Sequence, residues 1–104
     1  MANYVLAYTG GSMGETEADQ QEVMTRWMEW FGALAGAVVD AGTPFGASAT
    51  VAPGGEVSEG GRAALTGYSI ISAGSLAEAC DKAKGCPVLA AGGTIEVYET
   101  VPIG

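Results

Sequence analysis

From Asn3 to Thr9 the chain reads NYVLAYT, with Tyr4, Leu6 and Tyr8 in one phase and Val5 and Ala7 in the other. A period of two among aromatic and branched residues predicts a strand. Gly10, Gly11 and Gly14 then break it, and the period changes. Val23, Met24, Trp27, Met28, Phe31, Leu34, Ala35 and Val38 recur at helical spacing, which predicts a long helix. Thr16 is placed to cap its start, with Asp19 three residues on as the partner of a capping box. Glu17, Asp19 and Glu22 put negative charge in the first turns, where it complements the helix dipole. Glu22 and Arg26 form an i,i+4 pair, and Gly42 is the expected left-handed stop.

Two extended pieces follow, Gly46 to Ala52 and Leu65 to Ala73. Between them PGGEVSEGGR, residues 53–62, carries two Gly-Gly pairs that mark turns. The second helix has the clearest signals. Ser75 and Glu78 make an S-x-x-E capping box, and Leu76, Ala79, Cys80 and Ala83 form its apolar stripe. Glu78 precedes Lys82 by four residues, Lys82 and Lys84 suit the C-terminal end, and Gly85 suits the position after it. Pro87 bars continuation. The last strand is expected from Thr94 to Val101, with Ile95 and Val97 alternating against Glu96, Tyr98 and Glu99.

The expected order is thus β-α-β-β-α-β, the split pattern of a ferredoxin-like α+β sandwich, with both helices over one face of a four-stranded antiparallel sheet. The other face lacks the clean alternation of a solvated sheet surface, since Val5 and Ala7 oppose Tyr4, Leu6 and Tyr8 while Ile71 and Ala73 oppose Tyr68 and Ile70. That pattern implies burial of the second face by another copy, sheet against sheet.

Composition narrows the partners. The chain has 104 residues, the size of one domain spanning 1–104, and only 15 % of them are charged. Twelve acidic residues face four basic ones, a net charge of −8. Arg26, Arg62, Lys82 and Lys84 are scattered, so no basic stripe addresses nucleic acid or an anionic membrane. MANYVLAYTGG lacks the charged and long apolar regions of a secretory signal, and no window is apolar enough for a membrane span. A cytoplasmic location with reduced cysteines is the expectation.

Candidate chemistry is sparse. There is no histidine. Cys80 on the helix stripe and Cys86 beside Pro87 have neither redox nor zinc spacing, so both read as packing residues, and neither a metal nor a cofactor is implied. TGGSMG, residues 9–14, joins a strand to a helix but lacks the phosphate-loop pattern, and Glu15, Glu17 and Asp19 would repel a phosphate there. Trp27, Trp30 and Phe31 fall within one helical turn or so. Core or dimer packing explains them, and the same arc can line a cleft between helix and sheet with Tyr8 and Tyr68. A general base would have to be a carboxylate or thiolate. Glu29, Asp40, Glu96 and Glu99 are the carboxylates nearest to these elements, and no spacing singles out a catalytic pair.

GYSIISAGSLAEACDKAKGCP followed by GGTIEVYE resembles the C-terminal half of the YCII-related, or DGPF-domain, family. Gly67 and Tyr68, Leu76 and Ala79, Gly85 to Pro87, and Gly92 to Val97 fall at that family's positions. NYVLAYTGG and the VVDAG ending at Gly42 also look like it. The resemblance implies a dimeric α+β barrel with a cleft that holds small, frequently aromatic molecules. Some members are thought to use a histidine with a nearby aspartate; this chain has no histidine, and PGGEVSEGGRAALT stands where the Asp-Gly-Pro-Phe signature would be. Arg62 falls near a basic residue that follows the signature. Two functions are therefore expected in competition. One is binding of a small organic ligand in a cleft lined by Tyr8, Trp27, Phe31 and Tyr68. The other is an enzyme of the isomerase, oxygenase or dehalogenating kind using a carboxylate. A carboxylate buried beside the tryptophans would favour the enzyme, and an apolar cleft would favour binding.

Overall fold

The computed structural model describes residues 1–12 and 14–103; Met13, inside the TGGSMG turn, and Gly104 lie outside the described residues. The chain runs β1 (Ala2–Thr9), α1 (Glu17–Leu34), a short 3-10 turn (Ala35–Ala37), β2 (Val38–Asp40), β3 (Ala49–Val51), β4 (Val57–Glu59), β5 (Leu65–Ala73), α2 (Leu76–Ala83), α3 (Pro87–Ala90) and β6 (Thr94–Glu99). It is an α+β structure with antiparallel sheets. Four strands form one sheet in the order β2-β5-β1-β6, and β3 pairs with β4 in a separate hairpin.

The alternation in β1 sets the layers. Tyr4, Leu6 and Tyr8 sit opposite Ile71, Ser69 and Gly67 on one side and opposite Glu99, Val97 and Ile95 on the other. This face carries the core, where Tyr4, Leu6, Tyr8, Ile71 and Ala73 meet Ala79, Ala83, Cys86, Val88 and Trp30. All three helices therefore stand on one face. The opposite face presents Val5, Ala7 and Ile70, flanked by Tyr68 and Tyr98. None of the described helices covers it.

Helix boundaries follow local chemistry at their starts. Thr16 Oγ1 accepts from the Asp19 backbone N–H at 3.1 Å, and Ser75 Oγ accepts from that of Glu78 at 3.1 Å. The Glu78 carboxylate turns back to accept from the Gly74 N–H. Glu22 and Arg26 pair as expected, both exposed, a contact worth little by itself. The C-terminal end of α1 differs from expectation. Helix α1 stops at Leu34 and not at Gly42, with Ala35 at a positive φ of 49°. Gly32 and Gly36 weaken this last stretch, and the branched pair Val38-Val39 suits a strand better than a helix. Val38 and Asp40 consequently pair with Ile71 and Ile70. The sheet's second strand is thus residues 38–40, and the Gly46 to Ala52 segment supplies only β3 of the outlying hairpin.

Gly42 does not stop α1, whereas Gly85 takes the expected position just after Lys84, the cap residue of α2. Gly42 does take a positive φ of 78°, but in the turn after β2, where a Cβ would collide with the Tyr68 carbonyl. Gly85 keeps an ordinary backbone, and a Cβ there would press on the Trp30 indole at 3.1 Å. The residue is small because the tryptophan comes close. Pro87 both ends α2's run and opens α3 at its first turn.

Glycine-to-alanine exchange separates these roles. Gly42→Ala meets both the φ penalty and the collision, and should lower stability by at least about 2 kcal/mol. Gly54→Ala, with nothing within 4 Å of the added Cβ, should stay within about 0.5 kcal/mol of the parent. Urea unfolding of the two variants checks both values.

Candidate functional site

Helix α1 touches the rest of the protein through an aromatic arc. Trp30 is its one buried residue, and the Trp30 indole N–H donates to the Lys82 carbonyl at 3.1 Å. That bond fixes the helix to the end of α2. One helical turn around, Trp27 meets the Tyr8 ring edge-on with centroids 5.3 Å apart, and Phe31 packs on both tryptophans at 5.8 and 5.0 Å. Beyond this arc the helix stands off from the sheet and leaves a cavity of about 400 Å³. A volume of this order suits a small organic molecule.

The walls are Met24, Trp27, Met28 and Phe31 from α1, Val88 from α3, and the turn from Ala41 to Pro44. Tyr8 and Ser69 form part of the floor, and Gly10, Gly11 and Ser12 form part of the rim. No charged side chain among the described residues lines it. Met24 and Met28 are 52 % and 70 % exposed, so two flexible thioethers hang over the entrance. Such side chains adapt to varied apolar shapes.

Of the four residues expected to share a cleft, the structure brings Tyr8, Trp27 and Phe31 into direct contact. Tyr68 also borders the cavity, but its phase on β5 places the ring on the opposite sheet face, across from Ala7. There it stacks on Phe45 with centroids 5.9 Å apart and donates its hydroxyl to Asp40 at 2.9 Å. Strand alternation between Gly67 and Ser69 is the reason. The residue that joins Tyr8 in its place is Ser69. It is fully buried, accepts from the Tyr8 hydroxyl at 2.7 Å and donates to the Ala41 carbonyl at 2.7 Å. The signal for it was the one serine in the buried phase Gly67, Ser69, Ile71 and Ala73 of β5.

The candidate acids lie elsewhere. Glu29 borders a separate, more open depression with Arg26 and Lys84. Asp40 accepts from Tyr68 and from the Gly42 N–H, Glu96 accepts from Tyr98, and Glu99 accepts from the buried Tyr4 hydroxyl. Burial comes first, and the Glu99 carboxylate second, in pushing the Tyr4 hydroxyl's pKa above its ordinary value. Burial likewise pushes Tyr8 up strongly. Among the described residues no cluster of three histidine, cysteine or carboxylate side chains could hold a metal. Of the two cysteines expected to pack, Cys86 does so and Cys80 does not. Cys80 is exposed, because the stripe of α2 that meets the sheet is only Ala79 and Ala83, while Cys86 is 2 % exposed beside Tyr8. Burial pushes the Cys86 thiol up to about 11.

No family model matches this chain, and no curated protein is significantly similar to it.

The thiols give two measurable outcomes. Iodoacetamide at neutral pH should alkylate Cys80 readily and Cys86 only on unfolding, as peptide mass mapping will show. Because the folded state holds the Cys86 proton to about 11 and the unfolded chain releases it near 9, the folded state binds more protons in that interval. Stability should therefore fall as pH rises from about 9 to about 11. Cys86→Ala should flatten that slope in denaturant titrations across the range.

Proposed function

We propose that this chain is a cytoplasmic, YCII-like homodimer of ferredoxin-like fold that binds a small, largely apolar organic molecule between α1 and the sheet. The observation that carries this reading is the cavity itself. It is walled by Trp27, Phe31 and two methionines, and no charged side chain reaches it among the described residues. An uncharged aromatic guest would gain edge and face contacts from the arc and would cost the site little desolvation. The strand order β2-β5-β1-β6, with helices on one face, supports the ferredoxin-like assignment and the family resemblance of Gly67 to Val97. Among the described residues no helix is long and apolar enough to cross a membrane.

The competing enzyme reading requires a group that titrates at working pH. Every candidate carboxylate sits outside the cavity lining. The groups at its floor are the Tyr8 hydroxyl, pushed up by burial, and beside it the Cys86 thiol, also pushed up. Both stay protonated near neutrality. This balance favours binding over carboxylate catalysis.

The homodimer is proposed through the uncovered sheet face of Val5, Ala7 and Ile70. A second copy would bury these residues sheet on sheet.

Two measurements test the proposal. Trp27→Ala should weaken binding of a small aromatic by about tenfold or more, the scale of one lost aromatic contact surface. Its unfolding midpoint should change less, because Trp30 keeps the helix anchored. Unchanged affinity in the folded variant overturns the cleft. Light scattering at micromolar concentration should give twice the 10.4 kDa chain mass, and the mass of a single chain would sink the dimer.

A further inference from the structure

The binding reading above names an uncharged aromatic guest, and the hydrogen-bond account of the cavity floor narrows its chemistry. Three hydroxyl groups lie there, on Tyr8, Thr66 and Ser69. Each proton is already committed inside the protein. Tyr8 donates to Ser69 Oγ at 2.7 Å, and Ser69 in turn donates to the Ala41 carbonyl at 2.7 Å. The Thr66 hydroxyl faces the carbonyls of Tyr8 and Gly10 at 3.3 and 3.0 Å. What these groups retain is lone pairs, since a hydroxyl oxygen can accept two hydrogen bonds in addition to donating one. Of the other side-chain donors of the lining, Thr43 and Tyr68 give their protons to the Pro44 carbonyl at 3.3 Å and to Asp40 at 2.9 Å. The Ser12 hydroxyl lies on the loop after β1 and the Trp27 indole N–H on α1.

We infer that the cavity, on the binding reading, selects a neutral aromatic that carries an O–H or N–H at its inner end, such as a phenol or aromatic amine. The Tyr8 hydroxyl oxygen, whose proton is held by the fully buried Ser69, is the acceptor that recognises this donor. A guest with only acceptors at that end would set lone pair against lone pair and leave its own oxygen unpaired in an apolar cavity. A carboxylate fares worse, because no cation among the lining residues compensates its charge. The order of these bonds also makes Ser69 the controlling residue. It is the acceptor that holds the Tyr8 proton away from the cavity. With Ser69 replaced by alanine, the Tyr8 hydroxyl is free to turn and donate, and the discrimination between donor and acceptor guests disappears.

Isothermal titration calorimetry with four probes of one shape decides this: 4-ethylphenol, 4-ethylanisole, 4-ethylbenzoate and 1,4-diethylbenzene. The wild-type protein should bind 4-ethylphenol about tenfold more tightly than 4-ethylanisole, the value of one well-placed hydrogen bond, and 4-ethylbenzoate least of all. In Ser69→Ala, checked for folding by circular dichroism, the phenol-to-anisole ratio should fall below about twofold. Equal affinities for the phenol and the anisole in the wild-type protein overturn the donor inference while leaving the cleft reading standing, as does preference for the benzoate. Failure of all four probes to bind overturns the cleft reading, and this inference with it. The wild-type comparison needs no variant, so a misfolded Ser69→Ala leaves the decision intact.

Discussion

The register of β1 is the constraint on which the rest of the molecule depends. This strand is hydrogen-bonded on both sides, to β5 and to β6. Its phase alone decides that Tyr4, Leu6 and Tyr8 face the helices. A slip of one residue would send all three outward and bring Val5 and Ala7 in, which are too small to fill the space. The partner strands agree with it position by position. Opposite Tyr8 stands Gly67, where a Cβ would meet the Thr43 carbonyl at 3.1 Å and the Tyr8 ring at 3.5 Å. The lack of a side chain there makes room chiefly for the passing Thr43–Pro44 backbone, since the contact with the Tyr8 ring would be an ordinary one.

Given that sheet, the two tryptophans of α1 divide the labour of the helix. Trp30 reaches past the sheet to the α2–α3 corner, where its indole bonds the Lys82 carbonyl and the bare backbone of Gly85 lets it approach. Trp27 meets only the edge of Tyr8 and leaves space beside it. A helix pinned mainly at one corner and propped by aromatic rings along its length does not close onto the sheet. The cavity is the result of that geometry. Its polar floor exists because Ser69, in the buried phase of β5, must satisfy its hydroxyl locally and finds Tyr8 and Ala41 in reach.

Much of this order was legible in the chain. The two-residue period of β1 and β5, the caps at Thr16 and Ser75 and the boundaries of α2 all rest on local chemistry, and local chemistry is written in consecutive residues. What failed was decided at a distance. Val38 fits the helical repeat of Leu34 and Ala35, and only the pairing with Ile71 makes it a strand residue. Tyr68 does border the cavity with Tyr8, but the register sets Gly67 opposite Tyr8 and turns the Tyr68 ring to Phe45. Cys80 shares a helical stripe with Ala79 on paper, yet the contact with the sheet is too narrow to include it. Tyr8, Trp27 and Phe31 were legible as a group because two of them are four residues apart on one helix. Ser69 joins the same cavity through a strand crossing that no spacing encodes, whereas Met28 shares the helical repeat of Met24 and Phe31.

The hairpin of β3 and β4 leaves a further mark on the molecule. Among the described residues its strands pair with each other and with no third strand, and Val51 and Val57 stay exposed at 69 % and 70 %. The radius of gyration is 15.1 Å, against about 13 Å for a compact chain of this length. With dimensions of 44 × 42 × 18 Å, the protein tumbles as a plate and not as a ball. A plate drags more solvent than a sphere of equal mass. It therefore diffuses slowly and leaves a sieving column early, so that one copy can pass for a heavier particle wherever size is inferred from friction.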